Sequence, residues 1–340
     1  MSLFKVGLSR DLLTASGQSS FGSEPLAILA AAKDVLEWEY TKESVAEITP
    51  DQAAHYDAIY VNSAKVTTAS VARADCRVRL FARHGVGYDS VDVAALTRAG
   101  ILLTNTPLAV RRPVATMAMT YILALAQKML IKDRLTRAGQ WSQRNEHMGQ
   151  GLTGKTLGLV GAGGTGQETL RLARAFDMRL LAADPYADPT RIEALGAKLV
   201  PLTTLLREAD FVVLTCLLND ETRHLINADA LALMKRSAYL INVARGPVVD
   251  EPALIQALSG KRIAGAGIDV FEQEPVAPDN PLLKMEHVIV SPHALCWTDE
   301  CFNGIATEGL TSLVDVARSR KPAHLVNPAV LESPRWSQMR

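Results

Sequence analysis

The sequence predicts an α/β protein made of two doubly wound parallel-sheet units, and three observations carry that reading. Short apolar runs alternate with amphipathic segments along nearly the whole chain, the pattern of parallel strands joined by crossover helices. One strand–turn–helix–strand stretch, residues 155–184, has glycines at 161, 163 and 166 and ends in Asp184. At 340 residues the chain is long enough for two separate cores.

Taken in order, strands are expected at 5–9, 35–40, 57–62, 78–83 and 101–105. Helices are expected at 25–33, 68–73 and 91–99, the last closed by Gly100. After Asn105-Thr106-Pro107, a long helix rich in Ala, Met and Leu is expected over 112–130, read as a buried or interface helix. A linker with Trp141 leads into the glycine-rich stretch, where a helix is expected over 167–176. Further strands follow at 210–216, 238–243, 263–270 and 287–291, making six from Thr156 onward. The helices between them are placed at 227–235, begun by an Asn cap, and at 251–258. A last helix over 300–318 is expected to return to the first unit.

In the stretch at 155–184, Gly161 permits a tight turn and Gly163 lets backbone approach a pyrophosphate. The N-terminus of the helix that follows stabilises such an anion. Gly166 lets helix and strand pack closely. Asp184 lies 18 residues beyond Gly166, where its carboxylate can accept hydrogen bonds from both ribose hydroxyls of NAD and repel the 2′-phosphate of NADP. NAD is therefore the expected cofactor and NADP the disfavoured one.

Lys plus Arg and Asp plus Glu number 36 each, so there is no basic excess pointing to nucleic acid and no charged tail. The N-terminus lacks the apolar core of a signal peptide, and no 18-residue apolar run exists for a membrane span. Cys76, Cys216, Cys296 and Cys301 form no CxxC pair, as expected for reduced cytoplasmic thiols and not for zinc. The expectation is a cytoplasmic, metal-free protein acting on a small molecule.

Three polar residues sit at predicted strand ends, where doubly wound sheets place their sites: Arg245, Glu274 and His293. Taken singly, each has a bland reading as a loop or packing residue. As a set they supply a guanidinium fork for a carboxylate, a group to tune a proton donor, and the donor itself.

The segments ARHGVGYDSVD (82–92), NTP (105–107), GAGGTG (161–166), NVARGPVVDE (242–251), GAGIDVFEQEP (265–275) and SPHALCW (291–297) occur in one order. In this the chain closely resembles the D-isomer-specific 2-hydroxyacid dehydrogenases, the family of phosphoglycerate dehydrogenase and the glyoxylate/hydroxypyruvate reductases. The resemblance implies a Rossmann NAD-binding domain (106–297) inserted in a flavodoxin-like substrate domain (1–105 with 298–340). It implies hydride transfer between NADH and a 2-oxo acid, with Arg245 binding the carboxylate and polarising the carbonyl. His293 is then the general acid/base and Glu274 its tuning partner. It places the cofactor on Gly161, Gly163, Gly164, Thr165, Gly166, Asp184, Cys216, Val243, Ala244 and Asp269, the last on the nicotinamide amide. The substrate carboxylate falls to the backbone amides of Val86 and Gly87, and a homodimer through the cofactor domain is implied.

The chain departs from that family at four places. Gly164-Thr165 replaces the usual Arg-Ile of the turn, which removes a cation and shifts pyrophosphate binding towards backbone amides. Thr116 stands where an acid is common. Asn62 replaces the arginine of the phosphoglycerate enzymes, arguing against a phosphorylated substrate, with Lys65 and Arg83 the alternative cations. Trp297 follows His293 where small residues are usual and is expected to wall the substrate pocket. The competing reading from another functional class is a non-catalytic, NAD(H)-sensing, corepressor-like binding protein of the same fold. The intact Arg–Glu–His set and the lack of a long disordered extension favour the enzyme.

Overall fold

Five apolar runs, β1 (Phe4–Leu8), β2 (Leu36–Tyr40), β3 (Ala58–Val61), β4 (Leu80–Arg83) and β5 (Leu102–Thr104), pair in parallel in the order β2-β1-β3-β4-β5. In this computed structural model, which describes residues 3–337 and 339, that sheet belongs to a unit formed by Met1–Val110 and Trp297–Arg340. The order 2-1-3-4-5 is that of the flavodoxin-like doubly wound fold. One face is covered by the Asp299–Ala317 helix, whose Ala306, Leu310, Leu313 and Val314 join Leu8, Tyr60 and Leu80 in one core. Gly309 makes that approach possible, since a Cβ there would stand 2.3 Å from Cε2 of Tyr60. Asn327, buried, ties the C-terminal segment to the sheet edge by accepting from the Leu103 amide and donating to the Ile101 carbonyl.

The second unit, Arg111–Cys296, holds β6 (Thr156–Val160), β7 (Arg179–Ala183), β8 (Ala197–Leu199), β9 (Phe211–Leu214), β10 (Tyr239–Asn242), β11 (Gly265–Ile268) and β12 (Val288–Val290). All seven are parallel, in the order β12-β11-β10-β9-β6-β7-β8. Counted from β6 this is the 3-2-1-4-5-6 order of the Rossmann fold with one strand added. The strand order reverses between β6 and β9, and the crevice outside their carboxyl ends is where such sheets bind ligands. The strand residues are almost all buried, because helices cover both faces.

The structure corrects three details of the sequence reading. Among the described residues there are seven strands from Thr156 onward, not six: β8 is a three-residue edge strand with Lys198 exposed, too short to stand out as an apolar run. The long helix over 112–130 is two helices, Arg111–Ala126 and Met129–Arg137, bent by 56°. It stops because the returning linker's Gln150 N–H takes the Ala126 carbonyl at 2.7 Å, and Lys128 turns into the left-handed region (φ 51°). The helix expected over 167–176 starts earlier, as Gly164–Arg174, so its first turn is made by the glycine motif itself. With the compact units divided at Val110/Arg111 and Cys296/Trp297, the NTP segment and Trp297 group with the first unit. The cause is local: Thr106 exchanges hydrogen bonds with Gly85, Asn105 donates to the Val86 carbonyl at 2.8 Å, and Trp297 packs edge-on against Phe302.

Among the described residues no single helix is long and apolar enough to cross a membrane; the bent pair satisfies that test only when its two helices are joined. No group of three or more His, Cys, Asp or Glu residues among them is arranged to hold a metal ion.

Candidate active site

The glycine turn leaves β6 at the reversal point and is closed by backbone on two sides. Gly161 has φ 89°, and a Cβ there would lie 2.5 Å from the Cys216 amide nitrogen. A Cβ on Gly166 would lie 2.3 Å from the Gly161 carbonyl oxygen. Thr215, just beyond β9, donates its hydroxyl to that same carbonyl at 2.6 Å. Gly163 is the opposite case: it caps the Gly164–Arg174 helix, and the space where its side chain would stand is empty to 4 Å. A turn with no room for side chains below and open space above the helix start fits a dinucleotide pyrophosphate. Thr165 and Gly164 form the first turn of the helix, and Thr165 is half-buried.

Asp184 stands at the end of β7, half-buried and oriented by two backbone donors, Ala162 N at 2.7 Å and Tyr186 N at 2.9 Å. The lone pairs left over are available to a diol. Cys216 packs under Gly161, and burial foremost, with the nearby Asp184 charge, pushes its thiol up to about 11. It is a filler of the turn, not a nucleophile. Val243 and Ala244, also buried, continue β10 towards Arg245.

The three polar candidates come together at the carboxyl ends of β10, β11 and β12. Asn242 organises the first loop by accepting from Ala244 N and donating to the Arg245 carbonyl. Arg245 lays one guanidinium nitrogen 2.8 Å from the Ala244 carbonyl. Gly246 is required next, because a Cβ there would sit 1.8 Å from the Phe271 carbonyl oxygen. This approach sets the Arg245 loop directly against the loop that carries Glu274.

Both oxygens of Glu274 are engaged, Oε1 by the Phe271 N–H at 3.0 Å and Oε2 by His293 Nδ1 at 2.8 Å. Burial opposes ionisation of this carboxyl. The His293 hydrogen bond and charge, the Phe271 amide and the Arg245 charge outweigh it and hold the group below the ordinary glutamate value. His293 itself has φ 53°, an uncommon backbone state for a residue other than glycine. It is held there by its amide, which donates to the Asp269 carbonyl at 2.8 Å.

Asp269, which the resemblance places on the nicotinamide amide, stands just past the end of β11. It is only 1 % exposed, and Oδ1 accepts from the Ser291 hydroxyl and from the Ala294 and Leu295 amides, each at 3.2 Å. Ser291 is in turn bonded to the Tyr121 hydroxyl. Asp269 thus shapes the His293 loop. The partners Ser291 and Tyr121 were missed in the sequence; Ser291 is visible as the residue opening the Ser-Pro-His motif, whereas Tyr121 lies 170 residues away and carries no local signal. Val86, Gly87 and Trp297 belong to the other unit: Gly87 is buried, Val86 half-buried, and Trp297 exposed with its ring edge-on to Phe302.

Residues 119–294 match the family model described as D-isomer specific 2-hydroxyacid dehydrogenase, NAD binding domain. A glyoxylate reductase of Korarchaeum cryptofilum is 41% identical over 267 residues, covering 78% of this chain and 80% of that protein. Among solved structures, a glyoxylate reductase from Paecilomyes thermophila superposes with a TM-score of 0.84 at 29% identity, covering 96% and 99% of the two chains. The D-lactate dehydrogenase from Aquifex aeolicus, complexed with NAD and lactic acid, gives 0.81 at 26% identity, covering 95% and 99%. The chain belongs to the D-isomer-specific 2-hydroxyacid dehydrogenase family and is a nicotinamide-dependent oxidoreductase of that class.

Proposed function

We propose that this protein reduces a small, unphosphorylated 2-oxo acid to its D-2-hydroxy acid with NADH, using Arg245, Glu274 and His293. The observation that carries the reading is the Glu274–His293 pair, 2.8 Å apart on adjacent strand-end loops, with the Arg245 loop packed against it through Gly246. Because Glu274 is ionised at neutral pH, it accepts the Nδ1 proton of His293. That fixes the ring so that Nε2 is the atom that gives a proton to the carbonyl oxygen, or takes it back in the reverse direction. Arg245 supplies a planar, permanently charged fork that binds the carboxylate and polarises the carbonyl. When bound, NADH supplies the hydride, and the protein contributes orientation and electrostatics. Guanidinium and imidazolium together stabilise the negative charge that develops on oxygen.

The substrate class rests on two supports. Relatives sharing 35–41% identity carry the name glyoxylate reductase. Asn62, in place of the arginine of the phosphoglycerate enzymes, donates to Asp11 and brings no cation for a phosphate. In steady-state assays with NADH, glyoxylate, hydroxypyruvate or pyruvate is expected to be turned over well above 3-phosphohydroxypyruvate. His293→Ala is expected to cut kcat by roughly 10²–10⁴-fold, the usual weight of a positioned acid, while NADH still binds. Preference for the phosphorylated acid, or full activity without His293, refutes the reading.

NAD is preferred over NADP in this reading because the Asp184 carboxylate, fixed by Ala162 and Tyr186 amides, repels a 2′-phosphate. Asp184→Ala is expected to shift the ratio of kcat/KM values towards NADPH; an unchanged ratio removes Asp184 from cofactor selection.

The second unit also leaves several large apolar side chains uncovered on the Met129–Arg137 helix and the linker after it. Met129 is 61%, Trp141 64% and Met148 76% exposed. Such patches mark association surfaces, and a homodimer through this unit is the occupant proposed. Sedimentation at micromolar concentration is expected to give twice the chain mass of 36.7 kDa; a monomer there contradicts it.

A further inference from the structure

The glycine turn lacks the cation that its family usually carries at position 164, and the structure shows what stands in that space. A Cβ built on Gly164 would lie 2.4 Å from Nε of Arg111 and 3.0 Å from its Cδ and Cζ. The guanidinium of Arg111 thus lies across the first turn of the Gly164–Arg174 helix, where a side chain at 164 would otherwise be. Arg111 opens the Arg111–Ala126 helix, which packs along the Gly164–Arg174 helix within one apolar core. The next residue fixes the arrangement: Arg112 donates to the buried carboxylate of Glu168 at 2.6 Å, and Arg171 meets the other oxygen of Glu168 at 2.5 Å. Glu168 is therefore already satisfied by two cations and does not neutralise Arg111. Among the described residues none forms an ion pair or hydrogen bond with the Arg111 guanidinium, which is exposed to solvent.

We propose that Arg111 is a cofactor-binding residue, supplying from a neighbouring helix the cation for the dinucleotide pyrophosphate that position 164 no longer provides. Holding an exposed, unpaired cation at a helix N-terminus is unfavourable in the free protein, because the helix dipole puts positive charge at that end. A diphosphate reverses the sign: guanidinium, open helix amides and the space over Gly163 all then face negative charge. Glycine at 164 and arginine at 111 belong together in this account, since the one makes room for the other. The expectation that phosphate binding rests mainly on backbone amides is replaced by a split between amides and one displaced arginine.

The proposal rests on the reading that the turn holds a pyrophosphate, and the test separates the two. Binding of ADP-ribose, NADH and adenosine is measured by calorimetry at several salt concentrations for the wild-type enzyme, Arg111→Gln, and Arg111→Gln combined with Gly164→Arg. Arg111→Gln is expected to weaken ADP-ribose and NADH by about ten-fold or more, the weight of a charge-assisted hydrogen bond. It is also expected to flatten their salt dependence and to leave adenosine unchanged. Adding Gly164→Arg is expected to restore both affinity and salt slope. Unchanged ADP-ribose affinity in Arg111→Gln overturns the proposal, as does an equal loss for adenosine, which marks a merely structural role. Failure of the wild-type enzyme to bind ADP-ribose overturns the underlying pyrophosphate reading instead.

Discussion

The buried carboxylate of Asp269 is the constraint on which the candidate site depends. A carboxylate withdrawn from water is costly unless donors surround it, and here the donors come from the very loop that carries His293. Ser291, Ala294 and Leu295 converge on Oδ1, and the His293 amide takes the Asp269 carbonyl. His293 keeps an unfavourable backbone angle because bonds on both sides of it over-determine the loop. The imidazole is therefore aimed by the end of β11, not by its own strand. The close approach of Gly246 to Phe271 does the same for the arginine loop, so three strand ends act as one rigid frame.

Electrostatics follow from that frame. Partial desolvation of the Glu274 carboxyl alone would favour its neutral form, yet the group, still open to solvent on one side, faces an imidazole, an amide and a guanidinium. Those partners hold its pKa below 4.5, so the carboxylate's contribution to the site is complete above that pH and is lost only as pH falls through the lowered value. Across the neutral range Glu274 is a fixed acceptor, and a fixed acceptor is what a directional proton donor requires. The proposed cofactor site has the same economy: a glycine-rich turn, a carboxylate oriented by two amides, and an arginine lying over the turn from the adjoining helix.

Much of this was legible in the sequence. Buried parallel strands read as continuous apolar runs, and a cap such as Asn227 is a local signal, which the structure shows accepting the Ala230 amide. Gly161, Gly163 and Gly166 were readable because the turn admits so few residue types. What escaped depended on distance or on shortness. The three-residue strand β8 has too little apolar length to register. The break after Ala126 is imposed by Gln150 returning from the linker, not by any proline or glycine within the helix. Arg111 lies just outside the helix expected over 112–130, and nothing in its own neighbourhood connects it to Gly164, 53 positions on. Asp269 entered only through the resemblance, and its inward-facing bonds depend on Ser291 and Tyr121, which only the fold brings near.

The account stands most directly on which nitrogen of His293 is engaged by Glu274. Nitrogen-15 NMR of the imidazole in the free enzyme, near neutral pH, with Glu274→Gln as reference, reads that out. The prediction is a neutral-form proton on Nδ1, held by the Glu274 carboxylate, with Nε2 open towards substrate, and loss of that preference in the glutamine variant. A neutral ring protonated on Nε2 in the wild-type enzyme would contradict it.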